Sequence, residues 1–349
     1  MVIDINMHWL PPELLHDKDL MDQYLHIVPR AYDTYAYLSK IPGTDIDQII
    51  IEKPRGYVNL NMGPESIDPK GRIAAMDEGG IDKAILRVPC FQEWLPLDMC
   101  KQVNDGMAAY AKKYPGRFHT LGVVPPLGDK RSLDEMDRCI NELGCVGMQV
   151  AAHYGNLYLD RNEFRPFFKK VSELDVPVCV HHTVLPVQYD ALLINDTFRR
   201  QFSRCQDQAI AVGREIFSDL FEEFPNLKLI HSMLGGGFFA LTDILAPKVS
   251  REKKREELER FDLSGAAKAR ERLFRNIYFG ITISSAWGAP QVECAVKVMG
   301  ADRILFGCSY PLRVEWVTHG VEFVKSLNIT DEEREMILGL NAQKMFNIS

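Results

Sequence analysis

The chain has 349 residues, 46% of them hydrophobic, with 41 basic against 48 acidic side chains and a formal net charge of −7. That acidic balance excludes the basic footprint of a nucleic-acid binder but allows a locally basic pocket for a small anion. No apolar run approaches the roughly 20 residues that span a bilayer, and no basic-plus-apolar leader opens the chain. The eight cysteines form no Cys-x-x-Cys pair, so a soluble cytoplasmic protein with reduced thiols is expected.

In chain order, the first strand is expected at residues 2–7 and runs into Asn6-Met7-His8-Trp9. Alternate residues of a strand share a face, so Asn6 and His8 point the same way. Trp9 then reads as a pocket wall. Residues 9–68 are broken by Pro11-Pro12, Pro42-Gly43 and Pro54-Arg55-Gly56, which predicts an insertion over the mouth that carries Arg55 to the pocket. Seven further strand-like runs fall at 83–89, 118–124, 146–151, 176–182, 227–233, 277–283 and 303–307. Stretches of helical period lie between most of them, for example 97–113 and 133–143. Ser132-x-x-Glu135 has capping-box spacing. A second insertion is expected at 186–204, residues 248–260 read as a solvated charged helix face, and 331–346 reads as a closing helix with Thr330 as its N-cap. Eight strands separated by helices predict one (β/α)8 TIM barrel over residues 1–349, with the insertion at about 9–68; a doubly wound open sheet is the alternative.

In such a barrel the C-terminal strand ends meet around one site. The polar residues at those ends are Asn6, His8, Arg87, His153, His181, His182, His231 and Ser309, which include five of the nine histidines. Five together favour a shared pocket over five separate structural roles. Arg87, and more weakly Arg55, suit a bidentate clamp on a carboxylate, and His153 suits a substrate contact. No Gly-x-Ser-x-Gly elbow, Walker loop or Rossmann fingerprint is present, so no organic cofactor is expected.

Several segments, in this order and spacing, carry a family resemblance. They are RIAAMDEGGIDK (72–83), YPGRF (114–118), LGGG (234–237), DRILFGCSYP (302–311) and Asn341-Ala342. The chain resembles the amidohydrolase superfamily, in the branch of aminocarboxymuconate-semialdehyde decarboxylase and the hydroxybenzoate-type decarboxylases. The resemblance implies a divalent metal at the barrel mouth. Its ligands would be a His-x-His or Glu-x-His on strand one, a His ending strand five and an Asp ending strand eight, with a strand-six His assisting. His8 and His181 match ligand positions, whereas Asn6 stands in the place of the first ligand and Ser309 in the place of the Asp. The strand-six motif falls on Met233-Leu234-Gly235-Gly236, leaving His231 two residues earlier and expected on the same strand face.

An amide oxygen and a protonated hydroxyl are poor substitutes for an imidazole and a carboxylate. No tightly bound metal is therefore expected, or a zinc or manganese ion held weakly by His8 and His181. The activity implied is non-oxidative decarboxylation of a small cyclic or aromatic carboxylate, in aromatic-compound catabolism. Asn6, Arg87, His153, Trp9 and Arg55 are expected to bind substrate, and His231, His182 and Ser309 to take catalytic parts. A hydrolase or hydratase acting on a C–C, ester or lactone bond is one alternative; an inactive ligand-binding barrel is the other. A homodimer is implied by resemblance, and neither nucleic acid nor membrane is an expected partner.

Overall fold

The computed structural model describes the whole chain except residues 29–31, 68–69, 90–91, 249–262 and 283–286. Its main sheet has eight parallel strands: β1 (Ile3–His8), β5 (Lys83–Arg87), β6 (Phe118–Val123), β7 (Gly147–Ala151), β10 (Val178–His181), β11 (Leu229–His231), β12 (Ile277–Thr282) and β13 (Ile304–Gly307), in that spatial order. The last strand returns to the first through a parallel bridge between Met7 and Tyr310 and a hydrogen bond from the Ser309 N–H to the Asn6 carbonyl (2.8 Å). The barrel expected from the sequence is thus the one observed, and the open sheet is set aside. The charged stretch 248–260 lies almost wholly outside the described residues. Among those described, no helix is long and apolar enough to cross a membrane.

Alternation along the strands divides the core into two layers. Ile3, Ile5, Ile85, Leu121, Cys179, Ile230 and Leu305 fill the barrel interior. Leu86, Val180, Leu229 and Phe306 face outward and pack under the helices. The closing segment adds Ala342, Phe346 and Ile348 to the inner cluster and so plugs one end of the barrel. Its first turn, Asp331–Glu335, starts at Thr330 in a complete capping box with Glu333. The box expected at Ser132 is not formed. Asp129 caps that helix instead, and Glu135 is drawn to Asn104 and Arg138.

The register of β1 against β5 slips by one between Asp4 and Met7. The slip matters for the site. Ile5 belongs to the inner cluster and Met7 to the outer one, so the strand turns Asn6 and His8 toward the mouth directly above an apolar rung.

The first insertion carries a three-stranded antiparallel sheet: β2 (Tyr35–Lys40), β3 (Asp47–Glu52) and β4 (Val58–Met62); a short hairpin of β8 (His153–Tyr154) and β9 (Leu157–Tyr158) follows β7. The second insertion holds it down. Arg199 donates from Nη1 to the Val58 carbonyl (2.7 Å) and Asn59 Oδ1 (2.9 Å), and its guanidinium lies over the Tyr57 ring. Arg204 Nη2 donates to the Asn59 carbonyl (3.3 Å).

After β11 the chain makes a left-handed turn from Met233 to Gly237, each residue with φ between 50° and 84°. L-residues avoid this region, so glycine is required where space is also tight. A Cβ on Gly236 would lie 1.7 Å from the Cys205 carbonyl oxygen. Gly236→Ala is expected to lower the unfolding free energy by about 3 kcal/mol or more, combining αL strain with a backbone clash. Urea denaturation measures it; an unchanged midpoint would mean the turn relaxes freely.

Candidate active site

The mouth of the barrel opens into a cavity of about 410 Å³. His8, His181, His182, Met233 and Ser309 line it from the strand ends, and Leu60 and Asn61 line it from β4. Thr197, Arg204 and Trp316 are among the residues closing its sides. The four side chains central to the sequence reading do converge. Asn6 Nδ2 donates to Ser309 Oγ (2.6 Å), and the His8 and His181 rings stand 5.5 Å apart, edge to face. Gly307 makes this possible, because a Cβ there would meet the Asn6 Cβ at 2.9 Å. Ser309 itself sits at φ 58°, a strained conformation for serine held where β13 rejoins β1.

His181 Nδ1 lies 2.9 Å from the His182 carbonyl, so the neutral ring donates there and leaves a lone pair on Nε2. Among the described residues neither His181 Nε2 nor His8 Nε2 has a hydrogen-bond partner, and Asn6 Oδ1 has none either. Arg87 is buried next to β1, its Cα paired with that of His8, on the inner side of β5 one rung above Ile85. Its Nε and Nη2 are likewise without partners. It is not among the residues that line the cavity, so it is a buried charge beside the mouth rather than a clamp inside it. Asp4, also fully buried, accepts at Oδ1 from the N–H groups of Asn6 and Cys308.

Four expected site residues are placed elsewhere. His231 faces outward, because Ile230 takes the inner rung; its ring is held between Gln208 Oε1 (2.8 Å) and Glu215 Oε2 (2.7 Å) on the helix Ser203–Phe217. It shares no face with Met233, since the strand ends at His231 and the backbone then turns left-handed. Both ring nitrogens are committed and neither can serve the mouth. His153 is committed too, to the carbonyls of Gly155 (2.9 Å) and Leu185 (3.0 Å), with Asp207 at 3.6 Å. Trp9 packs its indole against Gly106 and lines a separate surface groove. Arg55 is exposed over the Tyr35 ring. Sequence reasoning missed Arg204 and the pair Leu60–Asn61. The proline-broken insertions signalled that something would cover the mouth, but not which side chains.

The formal charges that act on the imidazoles of the mouth are those of arginines. Burial, then the charges of Arg87, Arg72 and Arg204, push the His8 imidazole down to about 3. Burial and the neighbours His182, Arg87 and His8 hold His181 well below the ordinary histidine range; burial and Arg204 lead for His182. Burial raises Asp4 to about 6, against its two N–H donors and Arg87. All three imidazoles are therefore neutral near pH 7. Below the unfolded value of 6.5 the unfolded chain takes up protons that these rings refuse, so their contribution to stability is present above 6.5 and lost as pH falls. His182→Gln should remove one such group. Its unfolding free energy should fall less steeply than that of the parent between pH 6.5 and 5, by up to about 1.4 kcal/mol per pH unit. Parallel pH profiles for the two proteins would show that His182 titrates normally.

A family profile described as amidohydrolase matches residues 3–348. The chain belongs to the amidohydrolase family. A gamma-resorcylate decarboxylase of Rhizobium sp. (strain MTP-10005) is 29% identical over 296 residues, covering 79% of this chain and 86% of the relative. A 2-amino-3-carboxymuconate-6-semialdehyde decarboxylase of Dictyostelium discoideum is 25% identical over 306 residues, with 80% and 77% covered. Among solved structures, a dihydroxybenzoic acid decarboxylase of Polaromonas sp. JS666, with bound manganese and the inhibitor 2-nitroresorcinol, superposes with a TM-score of 0.71. It is 23% identical, with 99% of this chain and 97% of that one covered, a likeness of fold.

This amidohydrolase mouth does not fit a tight divalent site of that kind. Two imidazole nitrogens stand open, but among the described residues no group of three His, Cys, Asp or Glu side chains converges. The other two ligand places are neutral and bonded to each other. The nearby formal charge pressing on His8 comes from three arginines. A cation would meet like charge and no anionic ligand at the open imidazoles.

Proposed function

We propose that the protein is a non-oxidative decarboxylase of a hydroxylated aromatic carboxylate. One observation carries this reading: the open polar atoms of the mouth come in two kinds. Arg204 Nε, buried in the cavity wall, is a donor without a partner among the described residues. His181 Nε2 and Asn6 Oδ1 are acceptors without partners. A ligand that satisfies both kinds offers an acceptor oxygen and, close by, a hydroxyl hydrogen, as a ring carboxylate with an adjacent hydroxyl does. The decarboxylase relatives support the same class.

The chemistry follows from the geometry. The carboxylate is drawn by the arginines, and the substrate hydroxyl donates to the lone pair of His181. The proton that His181 accepts is then available to the ring carbon bearing the carboxylate, with the His182 ring tilted beside it at 4.2 Å between centroids. The C–C bond breaks, its electron pair stays on the ring carbon, that carbon keeps the proton, and carbon dioxide leaves. No oxidant enters. Ser309 orients Asn6, and the sheet β2–β4 acts as a lid that keeps bulk water out. A homodimer and a cytoplasmic location, supported by resemblance and composition, belong to the same proposal.

The test is a panel of 2-hydroxybenzoate, 2,6-dihydroxybenzoate, benzoate and simple aryl esters and lactones, followed by chromatography and carbon dioxide release. Turnover is expected for the hydroxylated carboxylates and not for benzoate. Ester or lactone cleavage without carbon dioxide release would replace this reading by the hydrolase one.

A further inference from the structure

We propose that the guanidinium of Arg87 supplies a fixed positive charge at this mouth, so that this barrel works without a bound metal ion such as the manganese present in the Polaromonas structure. The inference rests on the decarboxylase reading for its chemistry, but its evidence is separate. Arg87 is at the right place: the inner side of β5, its Cα paired with that of His8 at the end of β1, close enough for its charge to act on His8, His181 and His182. It is only 2% exposed, and two of its nitrogens have no partner among the described residues. A buried cation with open donors persists only where something compensates it. Below, that is Asp4, itself fully buried and within electrostatic reach, with Oδ2 open. Above, it is an anion in the mouth.

The ligand positions tell the same story from the other side. Asn6 and Ser309 close on each other at 2.6 Å, which removes two corners of a coordination shell. Gly307 leaves the room that lets Asn6 do so. The change is therefore concerted: two ligand corners neutralised and paired, and a tethered cation placed behind them. When carbon dioxide leaves, negative charge grows on the ring and its oxygen, and a fixed guanidinium stabilises it through the imidazoles without reorganising. Arg87 does not line the cavity, so it acts through the field it sets and through the rings near it.

The experiment uses the full-length protein as purified without chelator. Metal content is measured by mass spectrometry, and turnover of 2,6-dihydroxybenzoate before and after dialysis against EDTA. The expected result is far less than one equivalent of manganese or zinc and turnover unchanged within about twofold. Calorimetry with 2,6-dihydroxybenzoate then compares Arg87→Met with Arg87→Lys, each checked for a native circular-dichroism spectrum. Arg87→Met should weaken binding at least 100-fold, and Arg87→Lys should recover much of it, because charge and not shape is what matters. A third protein, Arg87→Met with Asn6→His and Ser309→Asp, should bind manganese in equilibrium dialysis where the parent does not.

Turnover lost on chelation and restored by manganese would overturn the proposal and leave the decarboxylase reading intact. So would a folded Arg87→Met with parental affinity. If instead no ring carboxylate is turned over, while 2,6-dihydroxybenzoate binding still needs Arg87 and ignores EDTA, the decarboxylase reading fails and the anion-holding role of Arg87 stands. Should Arg87→Met fail to fold, Arg87→Gln, which keeps a polar head without the charge, takes its place in the calorimetry, and parental affinity in that variant would overturn the proposal equally.

Discussion

Replacing His181 by glutamine is expected to lower kcat by about 10²–10⁴-fold, the range for removing a positioned acid–base group. The effect should fall on kcat more than on KM, because the arginines that draw the carboxylate are untouched. The reason is the state of the ring. Its Nδ1–H is fixed on the His182 carbonyl, so Nε2 carries the lone pair, and among the described residues nothing bonds to it in a side chain that lines the cavity. Glutamine keeps a polar head but has no basic nitrogen to accept and return a proton. Steady-state kinetics with a native denaturation midpoint as control measures this. A loss of less than about tenfold in kcat would move the proton duty to His182 or to water.

The second large effect is expected in the lid. Arg199→Ala should destabilise the protein by about 2–4 kcal/mol, since it leaves the part-buried Val58 carbonyl and the buried Asn59 Oδ1 without their donor. Asp196, the other partner, is 82% exposed on its side chain and simply returns to water, which keeps the figure below that of a fully buried ion pair. Asn59 is followed by Leu60 and Asn61, which line the cavity, so loosening the strand should also raise KM at least tenfold. Urea denaturation, limited proteolysis between residues 35 and 62, and kinetics check the two halves. An unchanged KM in a protein with a proteolysed lid would separate the insertion from ligand binding.

The barrel was legible because its strands are fully buried runs whose ends differ from the observed ones by about two residues. Inner and outer layers both being apolar, the alternation says little about which residue faces in. That is why His231 was misplaced. Its face is decided by Ile230 on the inner rung, and its apparent alignment with Met233 is broken by a left-handed turn that only the glycines hint at. Asn6 and His8 were paired correctly, but through a register slip that the sequence does not show. His153 and Trp9 lie near the right strand ends and are turned into the protein by local partners: the carbonyls of Gly155 and Leu185, and the bare backbone of Gly106. Arg204 was out of reach for another reason. It arrives from an insertion, and its place in the cavity wall depends on a long-range hydrogen bond to Asn59.

The most direct measurement is the fate of the lost carboxyl carbon and its replacement. 2,6-Dihydroxybenzoate is turned over in D₂O in a sealed vessel, with carbon dioxide, oxygen and the arene followed together by nuclear magnetic resonance and gas analysis. The expected result is one carbon dioxide per arene, no oxygen uptake, and a single deuterium on the ring carbon that carried the carboxylate. A product that retains its carboxylate with water added, or an arene that appears only as oxygen is consumed, would contradict non-oxidative decarboxylation at this mouth.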